Sequence, residues 1–350
     1  MLNKLFAVIT TIQGPTPSVR RLAELLKPSA SPLLIIGDSK GPYDYNLDGT
    51  DLWSLERQRS LPWPLASLLP VKHYARKNLG YLIAIDRGAG CVYETDDDNT
   101  PLADWNPRDV RVPALSLANS SWTNVYRCFT DDYIWPRGFP LELIRDERTT
   151  PRPFATSNTV LVHAPIQQAL ANNSPDVDAV WRLVLEKELT FNHGPSVLLR
   201  PGTWCPFNSQ TTWWWPEAFP LMYLPSCCSF RMTDIWRSFI AQRCLWETGN
   251  GIVFHGPEVC QQRNAHSLAS DFEAEVPGYL LNVKIAQTLE QVSLAAGTEN
   301  LGDNLIRCYE ALVKADVFPR AEILIVKAWH SALQEVVATK SDLGSMPTTH

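Results

Sequence analysis

Between Val92 and Asn99 the chain reads Val-Tyr-Glu-Thr-Asp-Asp-Asp-Asn, an apolar strand end followed by three adjoining carboxylates with no intervening base. Like charges side by side repel. A folded chain keeps Asp96, Asp97 and Asp98 together mainly around something cationic, or by fanning them into water. Acidic side chains at the carboxyl end of a strand supply the hard oxygen ligands that Mn²⁺ or Mg²⁺ prefers. Such an ion keeps positions open for phosphate oxygens, so the chemistry suggested is a metal-bridged diphosphate. The alternative is an acidic surface turn.

Other residues fit the same chemistry. Arg76 and Lys77, in His73-Tyr74-Ala75-Arg76-Lys77-Asn78, place two cations just before the aspartate strand, where they would hold a diphosphate or lie on a solvated helix face. His266, in Arg263-Asn264-Ala265-His266-Ser267, is either structural or a late metal ligand through neutral imidazole. Asp234 opens an apolar helix, as a capping carboxylate or as the group that orients or deprotonates an acceptor. Asn208, Ser209 and Gln210 form a polar island suited to sugar hydroxyls, and Trp236 is counted with them. Arg137, wedged in Ile134-Trp135-Pro136-Arg137-Gly138-Phe139-Pro140, needs an anionic or hydrogen-bonding partner. Trp204, Trp213, Trp214 and Trp215 are either covered core or a stacking platform.

The elements that would position these residues are legible early in the chain. Residues 5–11 read as a β-branched strand, 18–26 as a helix capped by Ser18, and 33–36 as a short strand covered on both faces. Residues 73–87 predict a helix and 91–95 the next strand. Strand, helix, strand, helix, strand is the pattern of a doubly wound parallel sheet, an α/β fold whose ligands collect beyond the carboxyl ends of the strands. Thr10, Thr11, Asp38 and the aspartate run all fall there, which favours a binding site over a surface turn. Residues 101–230 are irregular and rich in Pro and Trp, and 232–246 predict an apolar helix. From 280 to about 337 the apolar spacing is helical, with Leu305, Tyr309, Leu312 and Val313 on one face. The tail from Thr339 is polar and expected to be disordered.

Composition narrows the function classes. A net charge of −6 argues against a nucleic-acid binder. No apolar run reaches 18 residues, so no membrane span is expected. The N-terminus reads as a first strand rather than a signal peptide. The eight cysteines form no CxxC pair and read as reduced thiols, consistent with a cytoplasmic protein. The sequon at Asn119 is too short a signal to change that.

Several stretches together resemble the STELLO-type glycosyltransferases and, more distantly, the reversibly glycosylated polypeptides, which include UDP-arabinopyranose mutases. They are Val8-Ile9-Thr10-Thr11-Ile12, Ile36-Gly37-Asp38-Ser39-Lys40, 74–81, Glu94-Thr95-Asp96-Asp97-Asp98-Asn99, 135–140, Pro206-Phe207-Asn208-Ser209-Gln210, 234–240 and 263–267. The resemblance implies a GT-A-like domain over 1–270, with a helical appendage at 271–338 and a tail at 339–350. It implies Mn²⁺ or Mg²⁺ held by Asp96, Asp98 and His266, with Asp98 the direct ligand and Asp96 nearer the ribose. Thr10, Thr11, Asp38, Arg76, Lys77, Asp96 and Asp97 would meet the nucleotide sugar. Arg137 falls on the arginine that carries the sugar in the reversibly glycosylated group. The plant STELLO-type proteins are Golgi membrane proteins associated with cellulose synthesis, whereas no membrane anchor is expected from this sequence. A Golgi-lumen location follows only if the sequence is a fragment of an anchored protein. Three readings result: a metal-dependent transferase passing sugar from a nucleotide donor, UDP-linked, to a carbohydrate or glycoconjugate acceptor; a mutase using Arg137; or a scaffold that binds nucleotide sugar. A homodimer is compatible with each.

Overall fold

A computed structural model of the chain describes residues 4–118, 120–152, 158–185, 187–262 and 267–344. The first hundred residues alternate as their patterning requires. β1 (Leu5–Thr10) leads to α1 (Pro17–Leu26), which is capped by Thr16 rather than Ser18. The Thr16 hydroxyl accepts from the Val19 amide at 3.2 Å, and Pro17 fits the first turn because its missing N–H would have had no helical partner. β2 (Leu33–Ile36), β3 (Thr50–Trp53), α2 (Leu55–Arg59) and α3 (Leu65–Leu68) follow. The helix expected from residue 73 begins with a single 3-10 turn, Tyr74–Arg76, before α4 (Lys77–Asp86). β4 (Cys91–Thr95) is buried throughout, and β5 (Asn99–Pro101) lies just beyond the aspartates.

The segment that read as irregular supplies much of the remaining sheet. It contains β6 (Arg111–Ser116), β7 (Val160–His163), β8 (Ile166–Asn172), α5 (Ala179–Leu185), β9 (Val197–Leu199) and β10 (Thr211–Trp214). α6 (Thr233–Trp246), β11 (Ile252–Gln261), α7 (Leu268–Glu290), α8 (Leu301–Lys314) and α9 (Ala321–Gly344) complete the order. Among the described residues the strands form one sheet, β3-β2-β1-β4-β10-β8-β11-β9-β6-β7, with β5 added on β11. The half β3-β2-β1-β4 is parallel, as the sequence pattern required. β10 enters antiparallel to both β4 and β8, and the sheet is mixed from there on. The order reverses between β1 and β4, so the residues after these two strands flank the position where open α/β sheets bind ligands.

The four tryptophans are core, not a platform: Trp204, Trp213, Trp214 and Trp215 are all buried. Trp213, Tyr93 and Trp105 pack as a mutual aromatic cluster, and Trp204 lies against Trp246. Helices α7 to α9 cover α6 and α4, burying Leu305, Tyr309 and Leu312 as their spacing implied. α9 continues to Gly344, past the Thr339 at which the sequence placed the tail, and residues 345–350 lie outside the described residues. Among the described residues no helix is long and apolar enough to cross a membrane.

α4 rests unusually close on the parallel half. A Cβ built on Gly80 would stand 2.6 Å from Val8 Cγ1 and 2.7 Å from Ile36 Cγ1, both in stiff, buried β-branched side chains. Gly80→Val is therefore expected to lower stability by about 2–3 kcal/mol, the upper part of the overpacking range, read as a fall in the urea midpoint at unchanged slope.

Candidate functional site

The three aspartates are held by three different means. Asp97 turns back toward β1: its carboxylate accepts from the Thr11 hydroxyl, and its carbonyl accepts from the hydroxyl of the helix cap Thr16. Burial raises its pKa above the ordinary carboxylate value. Asp96 is oriented through one oxygen. Its Oδ1 accepts from the Tyr74 hydroxyl at 2.6 Å and from Lys77 Nζ at 3.1 Å, leaving Oδ2 with no partner among the described residues. The Lys77 side chain is fully buried, and its two remaining hydrogens go to the Thr95 carbonyl and the Tyr74 oxygen at 2.7 and 2.6 Å. Asp98 has Oδ2 held by Gln261 Nε2 at 3.0 Å, while its Oδ1 is buried with no hydrogen-bond partner. Burial, then Asp96 and Asp97, push its pKa up to about 7.

Beside this triplet lies a cavity of about 330 Å³, between the ends of β1 and β2 and the start of α4. Its wall includes Thr10, Asp38, Lys40, Lys72, His73 and Phe230. Asp38 shapes the wall, accepting from the amides of Ser39 and His73 at 2.6 and 3.1 Å. The hydroxyls of Thr10 and Ser39 are buried there without partners, which is costly unless something in the cavity answers them.

Arg137 and Asp234 form a second buried cluster. Arg137 grips Asp176 bidentately at 2.7 and 2.9 Å, reaches Asp234 at 3.0 Å, and donates to the Arg231 carbonyl. Asp176 is thus the anionic partner that the apolar segment required. Burial alone would lower the Arg137 pKa, but Asp176 and Asp234 drive it well above the usual value. Burial likewise opposes ionisation of Asp234, yet Arg137, Arg237 and Arg231 outweigh it and hold this carboxyl low. A carboxylate so stabilised is a poor proton acceptor. Asp234 also accepts from Ser209, through its amide at 3.3 Å and its hydroxyl at 3.1 Å.

The strand ends thus bring together Thr10, Thr11, Asp38, Lys77, Asp96, Asp97 and Asp98. Gln210 joins through its carbonyl, which accepts from Thr95 and Asn99, and through its side chain, which donates to Gln261 Oε1 at 2.9 Å. Three expected residues lie elsewhere. The 3-10 turn before α4 directs Arg76 inward, where it donates to Gln58 Oε1 at 2.6 Å and to the Leu69 carbonyl at 3.1 Å. Trp236 sits in the core against Phe318, with its indole N–H on Asn282 at 3.0 Å. The side-chain oxygen of Asn208 accepts from Gln168 and the Gln210 amide, so it serves the loop rather than a sugar. His266 and the sequon residue Asn119 lie outside the described residues. Tyr74 and Gln261 were not singled out by sequence, and Ser209, read as part of a sugar-binding island, instead meets Tyr74 and Asp234. Gln261 stands 163 residues from Asp98 in a strand with no motif around it.

The raised Asp98 pKa has a measurable consequence for stability. Between 3.8 and about 7 the folded protein binds a proton at Asp98 that the unfolded chain releases, so stability falls as pH rises through that window. Asp98→Asn removes this loss while keeping an acceptor for Gln261. In chelator, thermal unfolding is expected to show the variant more stable than wild type by ~1 kcal/mol at pH 8, with the difference shrinking toward pH 4.

Residues 231–343 match a family model described as STELLO glycosyltransferases. Over 277 residues, 72% of the chain, it is 30% identical to "Probable glycosyltransferase STELLO2" of Arabidopsis thaliana. Over 273 residues, 71% of the chain, it is 30% identical to "Probable glycosyltransferase STELLO1" of the same plant. The chain spans about a third of the length of these relatives, 35% and 34%. Among solved structures, a mycobacterial protein aligns with TM-score 0.40 and 11% identity, covering 80% of this chain and 74% of that one. M. tuberculosis glucosyl-3-phosphoglycerate synthase aligns with TM-score 0.39 and 12% identity, covering 80% of each. Over 72% of its length the chain thus shares its sequence with the STELLO glycosyltransferases.

Proposed function

We propose that the chain is a glycosyltransferase whose donor is a nucleotide diphospho-sugar, UDP-linked, bound at the carboxyl ends of β1, β2 and β4 with Mn²⁺ or Mg²⁺. The observation that carries this reading is Asp98, a carboxylate with one buried, unpartnered oxygen, next to Asp97, which lines a cavity with unanswered hydroxyls. Asp98 Oδ1 and Asp96 Oδ2 are hard donors, and a hard cation with water and phosphate in its other positions needs few protein ligands. Among the described residues no three His, Cys, Asp or Glu side chains gather as a metal-ligand group, so water and the diphosphate would have to fill the remaining positions. The ion would supply Lewis-acid stabilisation of the departing diphosphate. Lys77 orients Asp96 and offsets its charge, while Thr10 and Ser39 offer hydroxyls to the nucleotide. Asp234, held ionised by its arginines, supports the site's geometry more than proton transfer.

The Arg137 cluster favours transfer over a mutase. A sugar-carrying guanidinium needs a nitrogen free to attack, and Arg137 has Nε, Nη1 and Nη2 all engaged. Intact-protein mass spectrometry after incubation with UDP-hexose or UDP-pentose is expected to show no sugar adduct, and an adduct mapped to Arg137 would establish the mutase.

Calorimetry of UDP tests the site itself. Binding is expected to be at least about tenfold tighter in Mn²⁺ than in chelator, because bare diphosphate meets three carboxylates. Equal affinity in both would remove the metal from the proposal.

A further inference from the structure

We propose that Tyr74 and Ser209 form a two-position hydroxyl relay that couples ligand binding at Asp96 to the Arg137–Asp234 cluster on α6. The inference rests on the reading of Asp96 as part of a cation site, and adds to it a connection between two places in the fold. Three close oxygen–oxygen contacts run in series: Asp96 Oδ1 to Tyr74 at 2.6 Å, Tyr74 to Ser209 at 2.7 Å, and Ser209 to Asp234 Oδ2 at 3.1 Å. Only two hydrogens are on hand to fill them, one from each hydroxyl. Asp234 is held ionised by its arginines and supplies none, and Asp96 is ion-paired with Lys77. A phenol keeps its single hydrogen at neutral pH. The three hydrogens of Lys77 are already directed at Tyr74, Thr95 and Asp96.

Two arrangements satisfy the short Tyr74–Ser209 contact. In the first, Tyr74 donates to Asp96 and Ser209 donates to Tyr74, so Asp234 loses the hydroxyl and keeps its backbone and arginine donors. In the second, Tyr74 donates to Ser209 and Ser209 donates to Asp234, so Oδ1 of Asp96 keeps Lys77 alone. Sending both hydrogens outward would leave two oxygens facing each other at 2.7 Å with nothing between them, which is repulsive. A cation on Asp96 withdraws charge from Oδ1 and weakens it as an acceptor, which favours the second arrangement. Tyr74 and Ser209 are positioning residues here. They act through Asp96, and because coupling is reciprocal, occupation at Asp96 tightens the hold on Asp234.

Mn²⁺ affinity in the presence of saturating UDP, read from the electron paramagnetic resonance signal of free Mn²⁺, tests the relay in the full chain. Ser209→Ala removes the second arrangement and fixes the Tyr74 hydrogen on Asp96, so Mn²⁺ is expected to bind about fivefold more weakly, the low end of ordinary coupling between sites. Tyr74→Phe frees Oδ1 from the phenol, and Mn²⁺ is expected to bind no more weakly than to wild type. On the Tyr74→Phe background Ser209→Ala is expected to have no further effect. Wild-type affinity in Ser209→Ala, or equal weakening in both single variants, overturns the relay and makes the two hydroxyls packing groups. A wild-type protein that binds no Mn²⁺ overturns the cation site first, and the relay with it.

Discussion

One buried ion pair fixes the frame on which the site is built. Glu94 is 0% exposed and Arg237 1%, and they meet through two contacts at 2.7 and 2.9 Å. Trp214 donates to the same carboxylate at 2.8 Å, and the Tyr81 hydroxyl also reaches it. Removing either charge would strand the other away from water, at a cost of about 3–5 kcal/mol. The pair also sets two registers at once. Glu94 lies two residues before Asp96, so fixing it in β4 fixes the side of the strand from which Asp96 projects. Arg237 lies one turn after Asp234, so fixing it in α6 fixes the face that carries Asp234. The distance between the aspartate run and the arginine cluster is thereby governed from beneath both.

Around this frame the charges are arranged by depth. The cations nearest the carboxylates, Lys77 and Arg137, are buried and fully hydrogen-bonded, so their positions are determined by packing rather than by side-chain freedom. Lys40 and Lys72 stand at the cavity wall instead, where a lysine's flexible stem can follow a ligand. The inner cations hold geometry and the outer ones are free to respond. Asp98 differs from both: burial and two like charges disfavour its ionised form in the protein alone.

What the sequence disclosed follows from how local each signal is. β2 and β4 were legible because a short apolar run bounded by a turn needs no partner to be recognised, and the aspartates because three carboxylates in a row are conspicuous anywhere. The cap of α1 was misplaced by two residues, although Thr16-Pro17 is itself a cap-and-first-turn signature. Arg76 and Lys77 are neighbours, yet one braces Gln58 and the other meets Asp96. Their divergence comes from the 3-10 turn that ends between them, which helical periodicity does not forecast. Arg137 announced that it needed an anion but not which one, since Asp176 lies 39 residues on. Trp236 was misread because α6 is buried on nearly every side, so its aromatic residues belong to the core. Gln261 carried no sign at all: an amide in a late strand becomes meaningful only when β5 and β11 pair.

Glu322, near the start of α9, bears on the modularity of the chain. Its buried carboxylate accepts from the Tyr223 hydroxyl and from the amides of Ser226 and Cys227, so it supplies the acceptor that organises the loop leading to Phe230. Phe230 in turn stands in the cavity wall, edge-on to Tyr74. The last helical layer therefore reaches the cavity wall through the Glu322 side chain, and trimming the chain before α9 would remove a keystone rather than an ornament. An addition to the chain that displaced α9 would therefore loosen the loop that seats Phe230 in the cavity wall.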